Sequence, residues 1–127
     1  REHVAFLASP EREGRGIGTK GLATAGEDIT AQFKAMGLEP GGTTGYLQPF
    51  TLAKGPDGAP ATTNNIVGIL RGTKPELAQA PLIVSAHYDH LGRGWPDARA
   101  AEAGQVHYGA DDNGDGAGRH DNRNHPQ

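Results

Sequence analysis

The chain has 127 residues, including 20 glycines and nine prolines but no cysteine, and its formal net charge is −3. A chain of this length forms at most one domain with a modest core, and without cysteine it has neither disulfides nor thiolate metal sites. Scattered basic residues exclude the positive surface typical of nucleic-acid binding, and no apolar run is long enough to cross a membrane.

The amino-terminal part predicts two helices separated by a loop. Residues 2–8 carry a compact apolar patch and predict a short helix that ends before Pro10. Residues 11–18 alternate charge with glycine and, because no strand precedes them, predict a solvated turn and not a phosphate-binding loop. Apolar residues recur every three or four positions in residues 22–36, which predicts an amphipathic helix that ends at Gly37.

Three strands are predicted next. Residues 46–52 alternate in polarity, and Pro49 restricts that strand to a sheet edge; residues 64–71 predict a second strand able to form a hairpin with it. Residues 82–84 form a short apolar run without alternation, typical of a central strand that is covered on both faces. This order of elements predicts an α/β fold, the front part of a mixed β-sheet flanked by helices.

Ionisable side chains follow the third predicted strand. His87 and Asp89 lie two residues apart, so in extended backbone they project to the same side, at the end of a strand where α/β proteins bind ligands. Taken alone, this pair is more typical of a structural histidine beside a carboxylate. Asp111 and Asp112 change the interpretation, because adjacent carboxylates repel each other unless a cation lies between them. Imidazole together with a bridging carboxylate is the ligand chemistry of zinc.

These residues resemble the di-zinc aminopeptidase family, the zinc exopeptidases that include bacterial leucyl aminopeptidase and glutamate carboxypeptidase. The resemblance rests on residues 86–92 and 109–113. Further similar stretches occur in the same order nearer the amino terminus, at residues 3–9, 13–15, 37–40 and 64–68. The resemblance implies the amino-terminal portion of an α/β fold of the zinc-exopeptidase type, which is phosphorylase/hydrolase-like.

The resemblance also implies a role for each residue of the site. His87 would ligate one of two zinc ions, Asp111 would bridge both, and Asp89 would hold the tautomer of His87 from behind. A cis peptide bond would join Asp111 to Asp112, and Asp112 would not be a direct ligand. His90 and His107 match no ligand position, so we expect them to face solvent or to stand behind the ligands. The implied substrate is a peptide or an amino-acid conjugate, and the implied location is secreted or periplasmic.

The tail at residues 114–127 has no Leu, Ile, Val or Phe. It cannot bury a helix face, which predicts a disordered or aberrant segment after a catalytic portion at residues 1–113. No glutamate follows Glu102, so the carboxylate general base that a zinc aminopeptidase needs is missing, together with ligands from later strands. We therefore expect a truncated fragment that is inactive alone.

Two alternatives remain open. A calcium-binding loop could be built on Asp111, Asn113 and Asp115, although its twelfth position is Asn122 where glutamate is wanted. The chain could also be an inert fragment whose resemblance records ancestry only. Trp95 presents a similar choice, between forming the wall of a substrate pocket and packing on its own loop.

Overall fold

The structure, a computed structural model, describes residues 2–77, 79–96 and 104–109. The described residues form the α-helices α1 (Glu2–Leu7) and α2 (Lys20–Ala35), and 3₁₀ segments cover Pro10–Arg15 and Pro75–Leu77. They also form the strands β1 (Glu39–Pro40), β2 (Leu47–Leu52), β3 (Ala61–Ile66) and β4 (Gly68–Ile69). Within these ranges no helix is both long and apolar enough to span a membrane.

Helix α2 confirms the amphipathic helix predicted from residues 22–36. It begins after Thr19, whose hydroxyl accepts a hydrogen bond of 3.1 Å from the backbone N–H of Leu22. Its last residue is Ala35 and Met36 is its C-cap; Gly37 follows with a φ of 73°, the left-handed conformation that glycine adopts without strain. Because Leu22 and Ala25 are buried, the first half of α2 forms most of the small core.

Strands β2 and β3 form an antiparallel hairpin in which Leu47 pairs with Ile66. The predicted pairing of these two segments is confirmed, and Pro49 lies on a strand with one partner, where its missing N–H costs least. The second predicted strand, residues 64–71, is divided at Val67: β3 pairs with β2, whereas β4 pairs with β1. The backbone of Val67 explains the division. Its N–H donates to the carbonyl of Tyr46, next to β2, whereas its carbonyl accepts from the N–H of Gly41, next to β1.

The prediction of a buried central strand at residues 82–84 is wrong. This segment has no regular secondary structure, and Leu82, Ile83 and Val84 are 89%, 82% and 88% exposed. The physical reason lies in its neighbours, since a strand that is apolar on both faces needs strands beside it and cover on each side. In the described ranges each sheet has two strands, and neither includes this segment. The helical and antiparallel content agrees with an α/β fragment, but a larger mixed sheet is not formed by these residues.

The prediction of a solvated turn at residues 11–18 is also wrong. Arg15 is 6% exposed and Ile17 is 9% exposed, and the two glycines beside Arg15 are buried as well. The reason is packing against segments distant in the sequence, which charge alternation alone does not reveal. The same segment touches α2 closely, because a Cβ atom on Gly21 would lie 1.9 Å from the carbonyl oxygen of Arg12.

Candidate active site

The guanidinium of Arg15 ties together the segments that carry the predicted site. Its Nε donates to the carbonyl of Tyr88 at 2.7 Å, and its Nη1 donates to those of Leu7 at 2.6 Å and Tyr108 at 3.0 Å. Its Nη2 donates to the carbonyl of Gly109 at 3.0 Å. One buried side chain therefore fixes the backbone next to His87 and the backbone leading to Asp111.

Backbone hydrogen bonds also connect these segments. The N–H of His90 donates to the backbone carbonyl of Arg15 at 3.0 Å. The N–H of Gly92 donates to the carbonyl of Gly14 at 3.1 Å, and the N–H of His107 donates to the carbonyl of Gly92 at 2.8 Å. Gly14 and Gly92 have φ values of 62° and 58°, and a Cβ atom on Gly14 would lie 2.2 Å from the carbonyl oxygen of His107. Only glycine permits this approach of three backbones.

Tyr88 anchors the site segment to the rest of the fold. Its hydroxyl donates a hydrogen bond of 2.8 Å to the carbonyl of Asn64 on β3, and it lies against Gly26 of α2. Burial, and to a smaller extent the charge of Asp89, raises the pKa of the Tyr88 phenol, so the hydroxyl stays protonated and continues to donate.

His87 and Asp89 are placed together, as their spacing predicts. The Nδ1 atom of His87 lies 2.9 Å from the backbone carbonyl oxygen of Asp89 and 3.4 Å from its carboxylate oxygen Oδ1. Because both oxygens are acceptors, Nδ1 carries the proton and the lone pair of a neutral ring lies on Nε2. The main-chain oxygen is the nearer partner, so the backbone shares with the carboxylate the task of fixing the tautomer.

A cavity of about 240 Å³ adjoins this pair. Its lining combines three ionisable residues with four apolar ones: His87, Asp89 and His90, and Ile17, Leu91, Trp95 and Pro96. Trp95 thus lines a cavity shared with the predicted site, and the pocket interpretation of this residue has a geometric basis. Ile17 was not among the candidates from the sequence, because its loop was expected to be solvated.

His90 and His107 both contact other parts of the structure. The ring of His90 lines the cavity and lies against Gly109, where an added Cβ atom would be 2.6 Å from the ring. His107 forms the bridge with Gly92. Arg15 and Tyr88 were missed as organising residues. A usable signal was present for Arg15, which lies between two glycines that let distant backbone approach its side chain.

The metal ligands cannot be assembled from the described ranges alone. Across residues 2–77, 79–96 and 104–109, no three His, Asp or Glu side chains gather closely enough to hold a metal ion. Asp111 and Asp112 lie outside the described residues, as do Asn113, Asp115 and the predicted tail. Among the described residues, His87 has a donor atom whose chemistry suits a metal ion, the Nε2 nitrogen of its ring.

Comparison with known proteins shows that the site region is similar to a family of peptidases. Residues 65–119 match the model of peptidase family M28, which confirms the resemblance to the zinc exopeptidases over that stretch. The match contains His87, Asp89, Asp111 and Asp112, and it extends past Asn113, where the resemblance was expected to end. It covers less than half of the chain. No match was found among curated proteins or among solved structures.

Proposed function

We propose that this chain supplies part of the catalytic domain of a zinc-dependent aminopeptidase, an enzyme that removes residues from the amino terminus of peptides. The M28 match supports a peptidase broadly, and hence a hydrolase. Zinc dependence, aminopeptidase specificity and a secreted or periplasmic location rest on the family resemblance, as does the division into residues 1–113 and a tail at 114–127.

The observation that carries this proposal is the orientation of the His87 ring. With Nδ1–H donating to Asp89, Nε2 is the coordinating atom, and a histidine whose other nitrogen faces a carbonyl or carboxylate is the usual arrangement of a metal ligand. In this proposal His87 would ligate one zinc, Asp111 would bridge two, and Asp112 would not be a direct ligand.

Arg15 supports the approach of the two halves of this site. It holds the carbonyls of Tyr88 and Gly109 on one guanidinium. In the sequence, Asp111 follows two positions after Gly109.

The chain's own residues have distinct tasks in this mechanism. His87 offers Nε2, Asp89 keeps the proton on Nδ1, and the neighbouring cavity offers space for part of a substrate. Zinc, when bound, polarises the scissile carbonyl and lowers the pKa of water. A carboxylate that would take the proton from this water is not identified in the sequence.

Zinc titration with histidine variants tests the proposal. We expect weak zinc binding, well short of a closed four-ligand site, that is lost in His87→Ala. His3→Ala is the matched control, because His3 lies in α1 and outside the cavity, and it should bind zinc as the unaltered chain does. Calorimetry and the NMR shifts of the imidazole rings give the two readouts.

Two outcomes would count against the proposal. Equal zinc binding by His87→Ala and the unaltered chain would remove His87 from the site. Binding of calcium without zinc would favour the loop built on Asp111, Asn113 and Asp115.

A further inference from the structure

We propose that the peptide bond between Arg71 and Gly72 is a processing site for a trypsin-like endopeptidase, and that the cut chain stays together as two bound pieces. Neither zinc nor the proposed function enters into this proposal. Hydrolysis breaks the bond between the carbonyl carbon of Arg71 and the nitrogen of Gly72. One water is consumed, which leaves a carboxylate on the first piece and an amino group on the second.

The bond lies in an exposed segment, residues 70–77. Every residue of this segment is exposed, and residues 70–74 have neither helix nor strand. Within the described part of the chain, residues 71–73 form no backbone–backbone hydrogen bond. A protease binds its substrate in an extended conformation, so a segment without such bonds can enter the protease while the rest of the chain stays folded.

The side chain of Arg71 is accessible to a protease. Its Nε atom lies 3.0 Å from Oε2 of Glu39, but the two side chains are 72% and 51% exposed. A salt bridge exposed to this extent contributes little free energy, so another carboxylate can replace Glu39. Trypsin-like enzymes offer such a carboxylate in the pocket that binds the residue before the cut bond. On the other side of the bond, a Cβ atom built on Gly72 would have no heavy atom within 4 Å.

Secondary structure and proline protect most of the other basic residues in the described ranges. The residues protected by helical structure are Lys20 and Lys34 in α2, and Arg12 and Arg15 in the 3₁₀ segment packed against α2. Lys74 is exposed, but Pro75 follows it, and the proline ring hinders cutting of the bond before it.

Hydrogen-bonded turns follow the remaining two, Lys54 and Arg93. Gly55 is buried, and its N–H donates to a backbone carbonyl four residues later at 2.6 Å. The carbonyl of Arg93 accepts from the N–H of Gly104 at 2.9 Å. These bonds must open before a protease can bind either segment, whereas the bond after Arg71 has no such requirement.

Contacts between the two pieces hold them together after the cut. The chain has no cysteine, so the backbone is the sole covalent link between them. Arg15 of the first piece donates to the carbonyls of Tyr88 and Gly109 of the second at 2.7 and 3.0 Å. In the opposite direction, the hydroxyl of Tyr88 donates to the carbonyl of Asn64 at 2.8 Å. None of these bonds involves residues 70–77, so the cut leaves them in place.

Limited digestion of the 127-residue chain with trypsin tests the site. Denaturing mass spectrometry identifies the pieces, and the piece that ends at Arg71 should form before those that end at Lys54 or Arg93. The same digestion in urea is the control, because an unfolded chain is cut according to its sequence alone. The ratio of cutting after Arg71 to cutting after Lys54 should fall by about tenfold in urea. An unchanged ratio, or a first cut at Lys54 or Arg93, would overturn the site.

Size-exclusion chromatography of the cut chain tests whether the pieces stay bound. Gly72→Pro, treated with trypsin in parallel, resists the cut and gives the elution volume of the undivided chain. The two pieces should elute together at that volume and separate when urea is added. Tyr88→Phe should lower the urea concentration that separates them, whereas Tyr108→Phe keeps the carbonyl that Arg15 binds and should not. Elution of the piece that ends at Arg71 by itself, without urea, would overturn the two-piece form.

Discussion

Arg15 and Gly109 are joined by a hydrogen bond of 3.0 Å although 94 positions separate them in the sequence. The same guanidinium bonds to Tyr88, 73 positions away, so it draws both candidate site segments onto the amino-terminal loop. Arg15 also has a positive φ of 48°, a conformation that costs a non-glycine residue about 1–2 kcal/mol. Its four hydrogen bonds to carbonyls offset that cost.

The first prediction concerns Arg15→Lys. An ammonium group cannot reach four carbonyl oxygens as the planar guanidinium does, so buried acceptors lose their donors. We expect a loss of about 2–4 kcal/mol in the free energy of unfolding. Arg71→Lys is the control: Arg71 forms an exposed pair with Glu39 and should lose less than about 0.5 kcal/mol. Urea unfolding followed by circular dichroism measures both, and similar losses would show that Arg15 has no special role.

The second prediction concerns Tyr88→Phe, which removes the hydrogen bond to Asn64. We expect a loss of about 0.5–1.5 kcal/mol at neutral pH. The pKa of Tyr88 is raised in the folded chain, so the unfolded chain loses this proton first as pH rises. The contribution of this group is therefore complete below the ordinary tyrosine pKa of 10.0 and is lost above it.

Unfolding measured from pH 8 to 11 checks the second prediction. The unaltered chain should lose stability above about pH 10, and Tyr88→Phe should lose less over the same interval. Tyr108→Phe is the control because Tyr108 is 46% exposed. A pH dependence that is the same in both variants would show that Tyr88 does not cause it.

The third prediction concerns catalysis. The 127-residue chain should hydrolyse no amino-acid p-nitroanilide above a metal-only control, because no glutamate follows Glu102 to act as general base. The absorbance of released p-nitroaniline measures the rate. Turnover that both a chelator and His87→Ala abolish would show that another residue takes the proton.

The fourth prediction concerns the exposed apolar segment at residues 82–84. Three consecutive apolar side chains that face solvent favour self-association, so the chain should aggregate at high concentration. Ile83→Lys should reduce light scattering, whereas Val4→Lys, which changes one isolated exposed residue, should have little effect. Amides of residues 81–87 should also exchange with deuterium faster than those of β3. Strong protection of residues 81–87 in a monodisperse monomer would contradict this prediction.

The elements predicted correctly are those specified by nearby residues. Helix α2 has its apolar period, its Thr19 cap and its Gly37 stop within one stretch, and the β2–β3 hairpin follows from two neighbouring strand patterns. The prediction of a central strand at residues 82–84 was wrong because an apolar run does not reveal whether other strands lie beside it. The segment has the apolar side chains that a buried strand needs, but a buried strand also needs neighbouring strands, and these depend on tertiary structure.

The candidate site was predictable only in part. The spacing of His87 and Asp89 indicated that they would lie together, and they line one cavity. Ile17 and Arg15 were missed because their partners lie far along the chain, although the glycines on either side of Arg15 were a usable local signal. The roles of Asp111 and Asp112 remain predictions.

The long separation between Arg15 and its partners has a consequence for the order of folding. Helix α2 and the β2–β3 hairpin close short loops, whereas the bonds from Arg15 to Tyr88, Tyr108 and Gly109 close loops of 73, 93 and 94 residues. We expect these bonds to form after the rate-limiting step. Arg15→Lys should then speed unfolding and leave the folding rate nearly unchanged in stopped-flow urea experiments. The candidate site would accordingly be the last part of the molecule to form and the first to open.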